Sequence, residues 1–139
     1  MRHLSDIIYD HDPLIMPKTA TIKAACQQMS ERMADFVLVT DEDGCLVGIF
    51  TGRDAVCAVL AAGKSASKTT LSQVMTPNPV TMSPENTAIE ALRLMWDCGF
   101  RHLPLVQGER LLGVVSRGDF SGDERTRLEQ ERGLWEHMR

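Results

Sequence analysis

The chain has 139 residues, which suits one compact domain or two small repeats that share a core. Its apolar fraction of 43% is enough to fold, and its formal net charge of -4 disfavours general binding to nucleic acid or to an anionic membrane surface. No apolar run approaches the roughly 18 residues that span a bilayer, and the first residues lack the apolar stretch of a signal peptide. We therefore expect a cytoplasmic location without a membrane partner.

An internal repeat covers nearly the whole chain. The segments that match at an offset of 67 residues are LSDII at 4–8 with LSQVM at 71–75, TIKAACQQM at 21–29 with AIEALRLMW at 88–96, and FVLV at 36–39 with LPLV at 103–106. The offset falls to 65 at GIFTGRD, which starts at Gly48, and GVVSRGD, which starts at Gly113. The pattern predicts a first repeat with its N-terminal lead at 1–63, a linker at 64–70, a second repeat at 71–122 and an amphipathic helical tail at 123–139.

Both repeats are predicted to have the same order of elements: a strand, a helix, two strands and a second helix. In the first repeat these are predicted at Leu14–Met16, Thr19–Arg32, Phe36–Thr40, Leu46–Phe50 and Arg53–Ala62. In the second they are predicted at Val80–Met82, Glu85–Cys98, His102–Val106 and Leu111–Val115, with the last helix starting at Ser116. The predicted fold class is therefore α/β, of the α+β kind, with two βαββα units whose spare apolar sheet faces cover each other.

Two further apolar features are assigned to packing. Trp96 falls at core spacing on the helix of the second repeat, which predicts a buried side chain. The charged tail carries the apolar residues Leu128, Leu134, Trp135 and Met138. Because disordered tails seldom carry tryptophan and leucine, we expect a helix that docks on the domain or on a second subunit.

Each repeat has a hydroxyl residue and an aspartate three positions later, at the end of an apolar strand: Thr51 with Asp54, and Ser116 with Asp119. The pattern is close to a capping box, in which the hydroxyl accepts a hydrogen bond from a backbone N–H and the acid lies at the positive end of a helix. Aspartate is one methylene shorter than the glutamate that capping boxes prefer, and the element occurs twice beside a common seam. These two features favour a binding role over capping alone.

The residue types at these turns suit a ribonucleotide. A carboxylate can accept hydrogen bonds from both cis hydroxyls of a ribose, whereas a hydroxyl and the N–H groups at a helix start suit a phosphate. The spacers of each turn add an arginine suited to phosphate oxygens and a glycine that allows close backbone approach. They are Gly52, Arg53, Arg117 and Gly118.

Several segments of the chain form a characteristic set: GIFTGRD, GVVSRGD, VMTPNPVTMSP, EALRLMWDCGFRHLPLV and the two repeat-starting segments LSDII and LSQVM, here called leads. This set resembles a tandem pair of CBS domains, the cystathionine-β-synthase-type regulatory repeats also called a Bateman module. The resemblance spans residues 4–120 and extends to small stand-alone bacterial CBS-domain proteins. It implies two repeats packed sheet to sheet about a pseudo-two-fold axis, with two clefts for AMP, ADP, ATP, S-adenosylmethionine or NAD. It also implies a homodimer that acts on a separate, unidentified effector protein and requires no cofactor.

The resemblance also implies roles for single residues. Asp54 and Asp119 match ribose-binding aspartates, and Thr51 and Ser116 match phosphate-contacting hydroxyls. Ile15 and Thr81 match strand positions that line the clefts, and Arg101 and His102 match phosphate-contacting basic positions. The candidate ligand-binding residues are Ile15, Thr51, Arg53, Asp54, Thr81, Arg101, His102, Ser116, Arg117, Gly118 and Asp119.

The two sites are expected to be unequal. The first repeat carries Asp35 in the region where the second carries Arg101 and His102, so an acid replaces a base at the phosphate end. The resemblance implies that each cleft draws residues from both repeats. We nevertheless expect the cleft of Asp119 to bind an anionic nucleotide better than the cleft of Asp54.

Other functions have less support from the sequence. His102 and Ser116 lack an orienting acid and an oxyanion hole, so neither a catalytic residue nor an enzyme is predicted. The histidines and cysteines have no metal-ligand spacing, and no metal is predicted. A constitutive dimerisation or scaffold module with unoccupied sites is the alternative, because capping alone would explain both motifs.

Overall fold

The structure, a computed structural model, describes residues 2–7, 12–120 and 122–137, with side chains of the last helix described through residue 130. These residues form two compact units. The repeat-1 unit contains residues 12–79 and 108–111, and the repeat-2 unit contains residues 2–7, 80–107, 112–120 and 122–137. In the described part of the chain, no helix combines the length and the apolar character needed to cross a membrane.

The repeat-1 unit is built on a four-stranded sheet with the strand order β1-β2-β3-β4. Its elements are β1 (Ile15–Pro17), α1 (Ile22–Arg32), β2 (Phe36–Thr40), β3 (Leu46–Thr51), α2 (Gly52–Asp54) continued by a π-helical segment (Ala55–Leu60), α3 (Leu71–Val74) and β4 (Thr76–Pro77). β1 pairs with β2 in parallel, and the other neighbouring strands are antiparallel. The buried face of α1, with Ile22 and Ala25, shares a core with Val37, Val39 and Phe50 of the sheet.

The repeat-2 unit has fewer strands. Its elements are a 3-10 turn (Leu4–Asp6), α4 (Ala88–Cys98), β5 (His102–Gln107), β6 (Arg110–Ser116, in this unit from residue 112), a second 3-10 turn (Arg117–Asp119) and α5 (Gly122–His137). β5 and β6 form a two-stranded sheet. The core of the unit joins Leu92 and Met95 of α4 to Leu103, Val115 and Phe120.

The predicted α+β class is confirmed, but α1 and α4 each begin three residues later than predicted. A threonine caps each helix and thereby sets its start. Thr21 Oγ1 accepts a hydrogen bond from Ala24 N–H at 3.1 Å, and Thr87 Oγ1 accepts one from Glu90 N–H at 3.2 Å.

The caps also correct the internal alignment of the repeats. Thr21 and Thr87 are 66 residues apart, and so are the residues that end the two helices, Met33 at φ 52° and Gly99 at φ 75°. The predicted offset of 67 is therefore one residue out across the helices. Small apolar residues match at either offset, whereas a cap at each end of a helix sets the alignment without ambiguity.

The strand predicted at Val80–Met82 is wrong, because only Met82 forms a single parallel bridge to β5. In the repeat-1 unit, Leu38 N–H donates to the Leu14 carbonyl at 2.9 Å and so extends the pairing of β1 with β2. The corresponding residue of β5 is Pro104, which has no N–H to donate. The missing donor explains why the pairing does not extend from Met82 back to Val80.

Each lead packs in the unit of the other repeat. Leu4, from the lead of the first repeat, is fully buried in the repeat-2 unit, and its N–H donates to the Asn86 carbonyl at 2.9 Å. Leu71, from the lead of the second repeat, is fully buried in the repeat-1 unit, and its N–H donates to the Ala20 carbonyl at 2.9 Å. Relative to the sequence repeats, the compact units have therefore exchanged their leads.

The two repeats differ in the element that comes after the hydroxyl–aspartate motif. In the first, α2 continues into the π-helical segment, near the predicted helix at Arg53–Ala62. In the second, the helix predicted from Ser116 is a single turn that ends at the extended, buried Phe120 (φ -90°, ψ 142°). The tail then forms α5, which packs on α4 and buries Leu128. The predicted contacts of Leu134, Trp135 and Met138 lie outside the described side chains.

Candidate functional site

The first candidate turn joins β3 to α2. Thr51 N–H donates to Asp54 Oδ2 at 2.9 Å, and Asp54 N–H donates to Thr51 Oγ1 at 3.2 Å, which closes a reciprocal capping box. Among the described residues, no hydrogen bond reaches the other carboxylate oxygen, Asp54 Oδ1. That oxygen can therefore accept a further donor without breaking the cap.

The second candidate turn joins β6 to the 3-10 turn at Arg117–Asp119. Ser116 N–H donates to Asp119 Oδ2 at 2.6 Å, and Ser116 Oγ donates to the same oxygen at 3.2 Å. The hydroxyl of Thr51 accepts within its turn, whereas that of Ser116 donates. The two turns therefore share an aspartate that closes on the preceding backbone and differ in the role of the hydroxyl.

The expectation that aspartate is too short for this cap is wrong. A tight turn brings the carboxylate within reach of the backbone three residues earlier, which compensates for the missing methylene. The same geometry recurs where His3 N–H donates to Asp6 Oδ2 at 3.1 Å and Ser83 N–H donates to Asn86 Oδ1 at 3.0 Å. The chain thus uses short polar side chains as caps outside the candidate sites as well, so the length of aspartate is no evidence for a ligand.

In each repeat, a backbone hydrogen bond joins the candidate turn to a charged residue, which is an acid at the first turn and a base at the second. Gly52 N–H donates to the Asp35 carbonyl at 3.1 Å, and Arg117 N–H donates to the Arg101 carbonyl at 3.1 Å. Asp35 and Arg101 are therefore equivalent, in agreement with the offset of 66. The offset of 67 instead sets Asp35 against His102, and this pairing is wrong by one residue.

The other candidate residues differ in their exposure. Ile15, on β1, is 47% exposed, and Thr81 lies partly buried just before the bridge of Met82. Arg53 and Gly118 are exposed in their turns, and Arg53 makes no hydrogen bond or ion pair with any residue that the structure describes. His102 is partly buried at the start of β5.

Arg117, a candidate phosphate contact, directs its guanidinium onto α4. Its Nη2 donates to the Met95 carbonyl at 2.8 Å, and its Cζ lies 5.8 Å from the centroid of the Trp96 ring. Its Nε is buried and has no hydrogen-bond partner among the described residues. Trp96 is 49% exposed, so the prediction of a core position for this residue is wrong. Arg117 connects the second turn to α4.

Three contacts around the second turn were not predicted from the sequence. Arg125 Nη2 donates to the Arg117 carbonyl at 2.6 Å, and Arg2 Nη2 donates to the Asp119 carbonyl at 3.2 Å. Arg2 also forms an ion pair with Glu124 at 2.6 Å. The hydrogen bond to Glu124 raises the pKa of the Arg2 guanidinium, which keeps the group charged. No local motif could have revealed the two contacts of Arg2, because they join opposite ends of the chain.

Beside the second turn, the described residues form an apolar pocket, and they contain no metal cluster. The pocket measures about 180 Å³, lies between α4 and α5, and has mostly apolar walls. It is lined by Leu92, Trp96, Arg117, Arg125, Leu128 and Glu129. Within the described ranges, no group of three or more histidine, cysteine, aspartate or glutamate residues is placed to hold a metal ion.

Comparison with known proteins gives a family and a fold. The sequence model of the CBS domain matches residues 4–61 and 71–122. The CBS domain-containing protein CBSCBSPB1 of Arabidopsis thaliana is 35% identical over 117 residues, which are 84% of this chain and 22% of that protein. The chain thus spans about a fifth of the length of this relative.

Solved structures agree with this assignment. The CBS-domain containing protein of Agrobacterium tumefaciens is 31% identical, with a TM-score of 0.73 over 84% of this chain and 94% of that one. A CBS domain protein of Pyrobaculum aerophilum, solved in complex with AMP, is 21% identical, with a TM-score of 0.79 over 92% of this chain and 98% of that one. At 21% identity, the similarity to the Pyrobaculum aerophilum protein shows a common fold.

Proposed function

Because the chain belongs to the CBS-domain family, we propose that it is a regulatory module that binds an adenosine nucleotide. AMP, ADP and ATP are the expected ligands, and S-adenosylmethionine and NAD are the other adenosine-containing candidates. The module acts as a homodimer on a separate partner protein and does no chemistry of its own. The ligand exerts its effect through different affinities for two conformations of the module.

The observation that carries the proposal is the duplicated aspartate at the end of a tight turn. In the first turn, Asp54 Oδ2 closes the cap, and Oδ1 is available to a further donor. A ribose presents two adjacent hydroxyls, which can donate to such a carboxylate while the cap stays closed. The Pyrobaculum aerophilum protein of the same fold holds AMP, and we take the ligand class from it.

We propose that the second site prefers anionic ligands. Arg101 lies beside its turn, and the guanidinium groups of Arg125 and Arg2 reach two carbonyls of the turn. Asp35 occupies the place of Arg101 at the first turn. Because charges a few ångströms apart near a protein surface interact by a few kcal/mol before screening, this difference is large enough to separate the two affinities.

A constitutive dimerisation scaffold is the second candidate function, and one observation favours it. The two aspartates are already used as caps, as are Asp6 and Asn86 at turns outside the candidate sites. A capping role by itself would therefore keep both motifs intact without any ligand.

A thermal-shift panel separates the two functions. Protein shown to be free of co-purified nucleotide is tested with AMP, ADP, ATP, NAD, S-adenosylmethionine and, as a control, 2′-deoxy-AMP. A ligand at 100 times its Kd adds about 2.7 kcal/mol to the free energy of unfolding, which is several degrees of Tm. We expect AMP to raise Tm and 2′-deoxy-AMP to raise it less, because one ribose hydroxyl is missing. No shift with any adenosine ligand would reject nucleotide binding and favour the scaffold.

A further inference from the structure

Two arginine side chains donate hydrogen bonds to carbonyls of the second candidate turn, and the described residues supply no such donor to the first. Arg125, in the first half of α5, donates to the Arg117 carbonyl at 2.6 Å, and Arg2 donates to the Asp119 carbonyl at 3.2 Å. Among the described residues, no side chain donates to a carbonyl of Gly52–Asp54 in the first turn. The helix after the second turn is thus hydrogen-bonded back to it.

The hydrogen bond from Arg125 acts, through one peptide group, on the Gly118 N–H, which belongs to the turn of the proposed second site. The carbonyl of Arg117 and the N–H of Gly118 belong to the same peptide, and a cationic donor on the carbonyl polarises that peptide and strengthens its N–H as a donor. The guanidinium also brings a positive charge next to the turn and limits its conformational freedom. Both effects favour an acceptor or an anion at the Gly118 N–H.

The described first part of α5, residues 122–130, docks through few buried side chains. Of its described side chains, residues 122–130, only Leu128 is buried. A pocket of about 180 Å³ separates the helix from α4 beside Leu128 and Arg125. A segment with few buried contacts opens locally at a small cost in free energy, so a single charge-assisted hydrogen bond shifts the local docking equilibrium of residues 122–130 measurably.

We propose that Arg125 is a positioning residue for the second site and that it couples docking of α5 to occupancy of that site. The coupling rests on the proposed function for the identity of the ligand, but the contact between α5 and the turn does not depend on it. Thermodynamic linkage makes the effect reciprocal: a nucleotide at the second turn stabilises docked α5, and docked α5 raises nucleotide affinity by the same factor. Docking of α5 therefore responds to occupancy of the second site and does not respond to occupancy of the first.

The ligand-free arm of the test uses hydrogen exchange of the full chain. Arg125→Met keeps most of the apolar stem and removes the guanidinium, and Arg127→Met is the matched control, since Arg127 is exposed on the same helix without a hydrogen bond in the described part of the chain. We expect Arg125→Met to raise amide exchange in residues 117–130 by threefold or more, and Arg127→Met to leave it unchanged. Equal exchange in the two variants would overturn the coupling. If Arg125→Met fails to fold, Arg125→Lys serves instead, with a smaller rise expected.

The nucleotide arm uses AMP as the probe. We expect AMP to slow exchange of α5 in the unmodified protein, and Arg125→Met to lower AMP affinity about threefold to tenfold at the second site only. Protection of α5 by AMP that survives in Arg125→Met would overturn the role of Arg125. Lack of any AMP binding would reject the proposed nucleotide, and the ligand-free arm would still decide whether Arg125 couples α5 to the turn.

Discussion

Asp35 and Arg101 occupy the same position in the two repeats: the carbonyl of each accepts a hydrogen bond of 3.1 Å from the first N–H of its candidate turn. The backbone geometry is thus the same in the two copies while the side-chain charge is reversed. The two turns share a capping aspartate, so this reversal is one electrostatic difference between them, beside the guanidinium groups of Arg125 and Arg2 at the second turn.

Arg101→Gln should lower the affinity of the second site for AMP about tenfold, because a charged donor beside an anionic ligand is replaced by a neutral one. The loss should grow from AMP to ATP as the ligand charge rises, and it should shrink at high salt. Arg127→Gln is the control, since it changes the net charge equally at an exposed position of α5. Titration calorimetry measures both variants, and equal affinities for AMP would contradict the prediction.

Met33→Gly should stabilise the protein. Met33 ends α1 with a φ of 52°, a left-handed conformation that is costly for a side chain with a Cβ, and it is 90% exposed, so little packing is lost. After the extra chain entropy of glycine, we expect a gain of about 0.5–1 kcal/mol in the free energy of unfolding and a rise of about 2–4 °C in Tm.

The equivalent residue of α4 supplies the control for this substitution. Gly99 has a φ of 75° and an ideal Cβ there meets no atom within 4 Å, so only the backbone conformation resists a side chain. Gly99→Ala should therefore lower the free energy of unfolding by about 1 kcal/mol. If differential scanning calorimetry shows Met33→Gly lowering Tm, the account of this helix end is wrong.

Much of the fold could be predicted from the sequence. β2 has the predicted bounds, Phe36–Thr40, because its short continuous run of apolar residues with β-branched valines ends at the turn residues DEDG. The start of α4 is also encoded locally, since Thr87 and Glu90 form a complete capping box. The missing strand before α4 depends on the absent N–H of Pro104, an effect on a partner strand that no local pattern shows.

The candidate site is less predictable from sequence than the fold. Asp54 and Asp119 stand in a local motif, so their turns could be located. The guanidinium of Arg117 was assigned to a ligand by its neighbours in sequence, yet its hydrogen bond goes to Met95, because α4 offers a carbonyl and Trp96 a flat surface. The contact of Arg2 with the turn joins residues from opposite ends of the chain, which only the folded structure brings together.

Glu90→Gln should change how stability depends on pH. Hydrogen bonds from the Thr87 backbone, the Thr87 hydroxyl and Asn86 hold the pKa of Glu90 below its ordinary value. A depressed carboxyl pKa contributes stability that is fully present above the unfolded pKa and is lost as the pH falls through the folded pKa. Glutamine keeps an acceptor at the cap but does not titrate.

We therefore expect the difference in free energy of unfolding between the unmodified protein and Glu90→Gln to be constant above about pH 5.5 and to shrink as the pH falls below about 5. Urea unfolding at a series of pH values measures this difference. Glu85→Gln is the control, because the side chain of this exposed residue makes no hydrogen bond with the described residues. A difference independent of pH would contradict the role given to the Glu90 charge.

The most direct test of nucleotide binding at two unequal turns is calorimetric titration of AMP into the unmodified protein, Asp54→Asn and Asp119→Asn. Asparagine removes the charge but can keep the cap, as Asn86 does in this chain by accepting from Ser83 N–H at 3.0 Å. We predict that Asp119→Asn abolishes the tighter binding event and that Asp54→Asn leaves it in place. Equal losses in the two variants, or unchanged AMP binding in both, would contradict the account.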